Sequence, residues 1–167
     1  MHPDLGPDDR RLDPKSVLAG RLGGAIVAGG FTFLSLAAIG LVLGLRTGFR
    51  PYWPVVVLFW FVAVAAVWAL GLGWPALEYR YTSYRLTERE ITIRRGVLWR
   101  EVVTVPLSRV QHTDLSQGPL SRAFGLAVLT IHTAGTEHAA VALGGLAVGD
   151  AARIRDRLLL ERGPDAV

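Results

Sequence analysis

Residues 51–77 read PYWPVVVLFWFVAVAAVWALGLGWPAL, 27 consecutive positions without one charged side chain. At 1.5 Å of rise per residue such a run makes a helix about 40 Å long, against a bilayer hydrocarbon core of about 30 Å. It spans with residues to spare for tilt. Trp53 and Trp74 mark the two ends; their separation along a helix is about 31 Å, which sets one indole near each headgroup layer, where such rings are favoured. The run predicts a membrane-crossing helix at about 52–74.

A second uncharged run lies just upstream, LGGAIVAGGFTFLSLAAIGLVLGL at 22–45. It exceeds the apolar core of a signal peptide, about 7–15 residues, has no small-x-small cleavage site before Arg46, and is followed directly by another span. It therefore reads as a retained anchor. Only Arg46 to Arg50 separates the two runs, so they must form an antiparallel hairpin with both termini on one side of the membrane. Four basic residues (Arg10, Arg11, Lys15, Arg21) precede the first span and Arg80, Arg85 and Arg89 follow the second, against Arg46 and Arg50 in the loop. That asymmetry places both termini in the cytoplasm. Gly40 and Gly44 carry a close-packing spacing, repeated higher up by Gly24, Ala28 and Thr32. The spacing either recurs by chance, as it does in any glycine-rich span, or marks a face that packs on the second span or on another copy of the chain.

Composition narrows what the rest can do. The chain is 51% hydrophobic and 19% charged, on the apolar side of soluble proteins. Its net charge of +4 is diffuse: the arm 1–21 balances four basic against four acidic residues, and residues 78–167 hold 12 against 10. No block resembles a nucleic-acid arm, so nucleic acid is not an expected partner. The absence of cysteine excludes a disulfide framework, thiolate metal sites and cysteine catalysis together.

Beyond Glu78 the apolar period changes from helical to two. Ile91 and Ile93 alternate with Glu90, Thr92 and Arg94, and Val103 and Val105 alternate with Val102 and Thr104. Turn signals at 86–89, 95–96, 106–108 and 134–136 separate predicted strands near 79–86, 90–95, 98–105, 109–116, 126–133 and 137–143. A closing helix is marked by Asp150 at its start and Gly163-Pro164 at its stop, with Ala151, Ile154 and Leu158 on one face. The reading is a polar arm at 1–21, a transmembrane hairpin at 22–77 and a mainly-β domain at 78–163, a small barrel or sandwich capped by the helix.

Arg109-Val110-Gln111, then Gln117-Gly118-Pro119-Leu120, then Arg122-Ala123-Phe124-Gly125-Leu126 and a Leu-Thr-Ile strand ending in Thr133-Ala134-Gly135 carry a resemblance. The chain from about Arg21 to Leu160 resembles the bacterial pleckstrin-homology-like, YdbS-like family of membrane proteins, in which two transmembrane helices precede one such domain. Val110 stands where that family often has Ile. The resemblance implies a pleckstrin-homology-like (PH-like) fold of about seven strands with a C-terminal helix, and no catalytic residues.

The candidate sites follow. Arg109, Gln111 and Arg122 surround a Gly-Pro turn, where two guanidinium groups and an amide suit a carboxylate, a phosphate or a partner's backbone. The competing reading makes Arg109 and Gln111 ties between the loop 116–125 and the sheet, with Leu120 and Phe124 as the buried side of a one-turn helix. Arg89, Arg94, Arg95 and Arg100 cluster about the first two turns after the membrane and suit anionic lipid headgroups, or else form a solvated strand face with Glu88, Glu90 and Glu101. His112, Asp114 and Ser116 share a strand face, but successive same-face side chains stand about 6.6 Å apart, too far for a preset relay. A three-residue hairpin loop at 134–136 would set His132 opposite His138, with His112 as a remote third metal ligand; with so few ligands no metal site is expected. No cofactor is expected either. Gly144 to Asp150 lacks the Lys and Ser/Thr of a phosphate loop. The expected function is non-catalytic: a domain at the bacterial inner membrane that binds a membrane or cytoplasmic protein or assembles with its own copies, the alternative being a module that reads anionic membrane lipid.

Overall fold

The computed structural model describes residues 9–45, 53–134 and 140–160. Among these, β1 (Arg10–Arg11) leads into α1 (Lys15–Leu45) and α2 (Trp53–Tyr81), followed by β2 (Ser83–Leu86), β3 (Glu90–Arg95) and β4 (Glu101–Pro106). A 3₁₀ turn at Leu107–Arg109 leads to β5 (Val110–Ser116), the short helix α3 (Pro119–Ala123), β6 (Leu126–Thr133), β7 (Ala140–Ala147) and α4 (Val148–Leu160). The chain divides into two compact units, residues 20–75 and the remainder.

The helical unit is held together at backbone distance. A Cβ on Gly24 would lie 2.2 Å from the carbonyl oxygen of Gly71. That carbonyl is the one whose helical donor, the N–H four residues on, is missing because residue 75 is proline. Only a glycine lets the other helix approach there. One turn on either side the seam continues: Gly20 sits against Pro75, and Ala28 is fully buried. Further along, Trp68 Nε1 donates to Thr32 Oγ1 at 3.2 Å and Trp60 Nε1 donates to Ser35 Oγ at 2.9 Å. Both hydroxyls also bond back to their own helix, Thr32 to the Ala28 carbonyl and Ser35 to that of Thr32, so both hydroxyls and both indole N–H groups are paired within the hairpin, as an apolar medium requires. Gly24, Ala28 and Thr32 therefore serve contact between the spans. Gly40 and Gly44 have no neighbour within 4 Å of their Cβ positions.

The second unit is an open sandwich of two antiparallel sheets, ordered β1-β2-β3-β4 and β5-β6-β7, with no closed barrel. The alternation read from the sequence fills the space between them. Ile91 pairs with Val105 and Ile93 with Val103 in one sheet, Leu129 with Leu143 and Ile131 with Val141 in the other, all buried. Helix α4 closes the core with Ala151, Ile154 and Leu158, the three positions expected on its buried face. Its stop signal at 163–164 lies outside the described residues.

Besides strand β7, which runs on to Ala147 where the sequence reading ends it at 143, three local features depart from the sequence reading. Strand β2 begins at Ser83, because α2 runs on to Tyr81 beyond its internal proline. Strand β4 begins at Glu101 because residues 97–100 form a tight turn, forced by Gly96 at φ +117°, where a Cβ would overlap the Trp99 carbonyl. The third is β1. Residues of the polar arm join the domain: Arg10 pairs with Tyr84, Arg11 with Ser83, and Leu12 enters the core. Asp9 anchors this arm, its side chain only 2% exposed and bound to Arg85 Nε at 2.8 Å and Arg94 Nη1 at 2.7 Å. On β7 two residues, Gly144 and Gly145, stand against Val128 alone, a bulge in which Gly145 takes φ +75° and accepts the Asp13 N–H at 2.9 Å.

The helical seam makes a prediction. Gly24→Val should lower the melting temperature of the detergent-solubilised chain, at an overpacking cost of about 1–3 kcal/mol. Gly29→Val, at a position with nothing within 4 Å, should leave it unchanged. Thermal unfolding followed by circular dichroism compares the two.

Candidate functional site

The Arg109–Arg122 segment is where the sequence concentrates its motifs. In the structure Arg109, Gln111 and Arg122 are all exposed. Arg109 contributes its main chain, the carbonyl accepting the Ala134 N–H at 3.0 Å, and Gln111 lies in the bulge between Val110 and His112. The tie from loop to sheet is made by a residue the sequence reading quoted but gave no role, Gln117, whose Nε2 donates to the Leu126 carbonyl at 2.6 Å. Helix α3 forms the expected single turn, with Leu120 and Phe124 half-buried.

The basic cluster after the membrane separates into two kinds of arginine. Arg94 is committed to Asp9, and Arg95 pairs with Glu101 at 2.8 Å while reaching the Ala142 carbonyl at 3.4 Å. Arg89 and Arg100 are exposed and make no ion pair among the described residues. Two of the four are therefore structural, and two keep charge available for an anion or a partner.

His132 stands opposite Ala140 on β7 rather than opposite His138, which lies outside the described residues; its other neighbour, on β5, is His112. The two imidazoles stack at 4.1 Å between ring centres, 12° from parallel, and His132 Nε2 hydrogen-bonds Asp114 Oδ2 at 3.1 Å. Nitrogen and carboxylate atoms of His112, Asp114 and His132 lie within 4.8 Å of one another. Parallel rings direct their lone pairs side by side, so a metal bonded at about 2.0–2.1 Å would require both rings to turn and the Asp114 bond to open. The cross-strand register brings together what a count along the chain kept apart.

The most exposed large apolar side chains of this unit form a further surface that the sequence reading absorbed into a strand. Leu98 is 76% exposed and Trp99 87%, both at the tip of the β3–β4 turn, and Val102 at the start of β4 is 61% exposed. Strand β4 ends its sheet, so its outer edge has no ladder partner among the described residues. The signal was available in the sequence: Val97-Leu98-Trp99 follows a glycine and precedes an arginine, an apolar triplet where turn residues are ordinarily polar.

Comparison with known proteins adds the lineage. The family model described as "Bacterial PH domain" matches residues 22–162. The chain is 37% identical over 113 residues to UPF0699 transmembrane protein YdbS of Bacillus subtilis (strain 168), covering 65% of each chain. It is 24% identical over 107 residues to UPF0699 transmembrane protein YdbT of the same organism, covering 63% of this chain and 18% of that one. The chain thus spans just under two thirds of the first relative's length and less than a fifth of the second's. No solved structure matches it. Two helical segments long and apolar enough to cross a membrane, of 28 and 29 residues, together with this family fit a membrane protein bearing a PH-like domain.

The loop geometry predicts unequal effects within one motif. Gln117→Ala removes a donor from a part-buried carbonyl and should cost about 1–3 kcal/mol. Arg109→Ala, at an exposed side chain, should stay within about 0.5 kcal/mol of the parent. Chemical denaturation of the full chain in detergent measures both.

Proposed function

The chain belongs to the bacterial PH domain family, and we propose that it is a non-catalytic inner-membrane protein whose PH-like domain holds a partner protein at the membrane. The observation that carries this reading is the turn bearing Leu98 and Trp99, held out by Gly96 beside a strand edge with no ladder partner among the described residues. A tryptophan buries more area than any other side chain once covered, and residues of this kind dominate the energetics of protein interfaces. The partner is an extended apolar protein segment added along β4, with main-chain hydrogen bonds for affinity and Trp99 seated in a pocket for specificity.

Arg100 directly follows Trp99, and an indole beside a guanidinium also suits the interface of an anionic leaflet. That is the second reading. A photo-crosslinking residue placed at position 99 of the full chain in cells separates them. A protein adduct of one defined mass, absent when Leu98→Ser is added, is expected; adducts to phospholipid alone would overturn the protein-docking reading in favour of the second.

The orientation belongs to the same proposal, since a cytoplasmic domain needs the hairpin to enter and leave from the cytoplasm. A reporter active only outside the cytoplasm should be silent after Val167 and active at Gly48. The reverse pattern inverts the topology.

A further inference from the structure

The positive charge that the sequence concentrates around the β3–β4 turn is half consumed by Asp9 and Glu101, but a second basic constellation, invisible along the chain, assembles at the other border of the same sheet. Where β1 and β2 meet α4 there is a cavity of about 280 Å³. Its walls come from three places. Arg10 on β1 and Tyr84 on β2 are direct cross-strand partners. Asp150, Arg153 and Arg157 are spaced at i, i+3 and i+7 on α4, which puts them on one stripe of the helix. Leu86 and Ile154 supply the apolar part of the lining.

The charges do not cancel. Three guanidinium groups face one carboxylate, and that carboxylate, Asp150, is engaged by Arg153. Arg10 lines the cavity beside its cross-strand partner Tyr84, and Arg157 makes no ion pair among the described residues. Desolvation by burial pushes the Tyr84 phenol above its ordinary pKa, with the negative charge of Asp150 acting in the same direction, so its hydroxyl stays protonated and able to donate. The cavity thus offers two guanidinium groups without a carboxylate partner among the described residues and one neutral O–H, beside an apolar wall.

We propose that this cavity binds a phosphate ester, its oxygens held by Arg10, Arg157 and Tyr84 and its carbon portion resting on Leu86 and Ile154. A tetrahedral anion with several acceptor oxygens is the ligand whose geometry uses convergent guanidinium groups best. The volume lies at the lower edge of the range for ligand sites, about 300–1,000 Å³, which suits a headgroup-sized ester rather than a nucleotide. Asp150 remains paired with Arg153 and bounds the site on one side, repelling any second negative group. The strands that form the site are the segments by which the chain enters α1 and leaves α2. Phospholipid headgroups and soluble phosphate esters share this chemistry.

The test uses the full chain in a mild non-ionic detergent, with calorimetric titrations of sn-glycerol 3-phosphate and, separately, of dihexanoyl phosphatidylglycerol. Binding of at least one is expected, weakened at least about tenfold, or about 1.4 kcal/mol, by Arg157→Gln and by Arg10→Gln. Arg155→Gln, which removes the same charge from α4 at a residue paired with Asp156 outside the cavity, should bind as the parent does. Tighter binding of the phospholipid identifies a membrane source and tighter binding of glycerol phosphate a soluble one; either outcome supports the site. Failure of both ligands to bind, or equal binding by the parent and the exposed-residue variant Arg157→Gln, overturns the proposal. Crosslinking at position 99 reads the docking surface separately, so the two proposals fail independently.

Discussion

One buried carboxylate decides how this chain is threaded. Asp9 reaches Arg85 and Arg94, 76 and 85 residues further along, and is almost fully withdrawn from water as it does so. A lone buried carboxylate is costly; one shared between two guanidinium groups, each still partly exposed, is stabilised by charge-assisted hydrogen bonds without trapping the cations. The contact draws the arm onto β2, brings Leu12 into the core, and makes the PH-like domain a structure whose first strand precedes both membrane helices and whose other strands follow them. The sheet cannot be completed by residues 78–163 alone, because β1 caps the border where β2 would otherwise end the sheet with an open ladder.

This threading also explains what was legible in the sequence. Features carried by one continuous segment could be read directly: uncharged runs long enough to cross a bilayer, the alternation of Ile91 and Ile93 and of Val103 and Val105, and the buried stripe Ala151, Ile154, Leu158. Strand β1 could not be read, since two consecutive arginines have no period, and Asp9 is one of four aspartates in the arm with nothing local to distinguish it. The turn 97–100 failed for a different reason. Val97 and Trp99 favour strands, and only the left-handed conformation demanded at Gly96 removes the Val97-Leu98-Trp99 triplet from the ladder.

The candidate sites follow the same division. Formal charge was visible, but its partners were not: four arginines looked alike along the chain, while in three dimensions Arg94 and Arg95 are neutralised by residues from the arm and from the neighbouring strand. His132 was expected to face the residue reached by a short hairpin loop. The observed pairing instead sets it against Ala140 on one side and His112 on the other; β7 is displaced by two residues from the register of a three-residue loop, a shift that leaves the same side chains facing the core and so leaves no trace in the apolar alternation. The cavity at α4 is the extreme case, since its three arginines come from opposite ends of the chain.

Gly145 is where these threads join. Its φ of +75° makes the bulge that realigns β7 against β6, its carbonyl receives the Asp13 N–H, and a Cβ there would stand 3.0 Å from Ser16 and 3.3 Å from Leu12. Three residues later α4 begins, so the position of the arm and the start of the helix are fixed by the same few atoms. Arg10 lies just ahead of that contact and Arg153 and Arg157 lie within the helix that follows it. The convergence of their charges is therefore a consequence of close backbone approach at a residue bearing no charge. The glycine-rich stretch from Gly144 to Gly149 lacks the residues of a phosphate loop, yet through this backbone role it places the groups whose chemistry suits a phosphate.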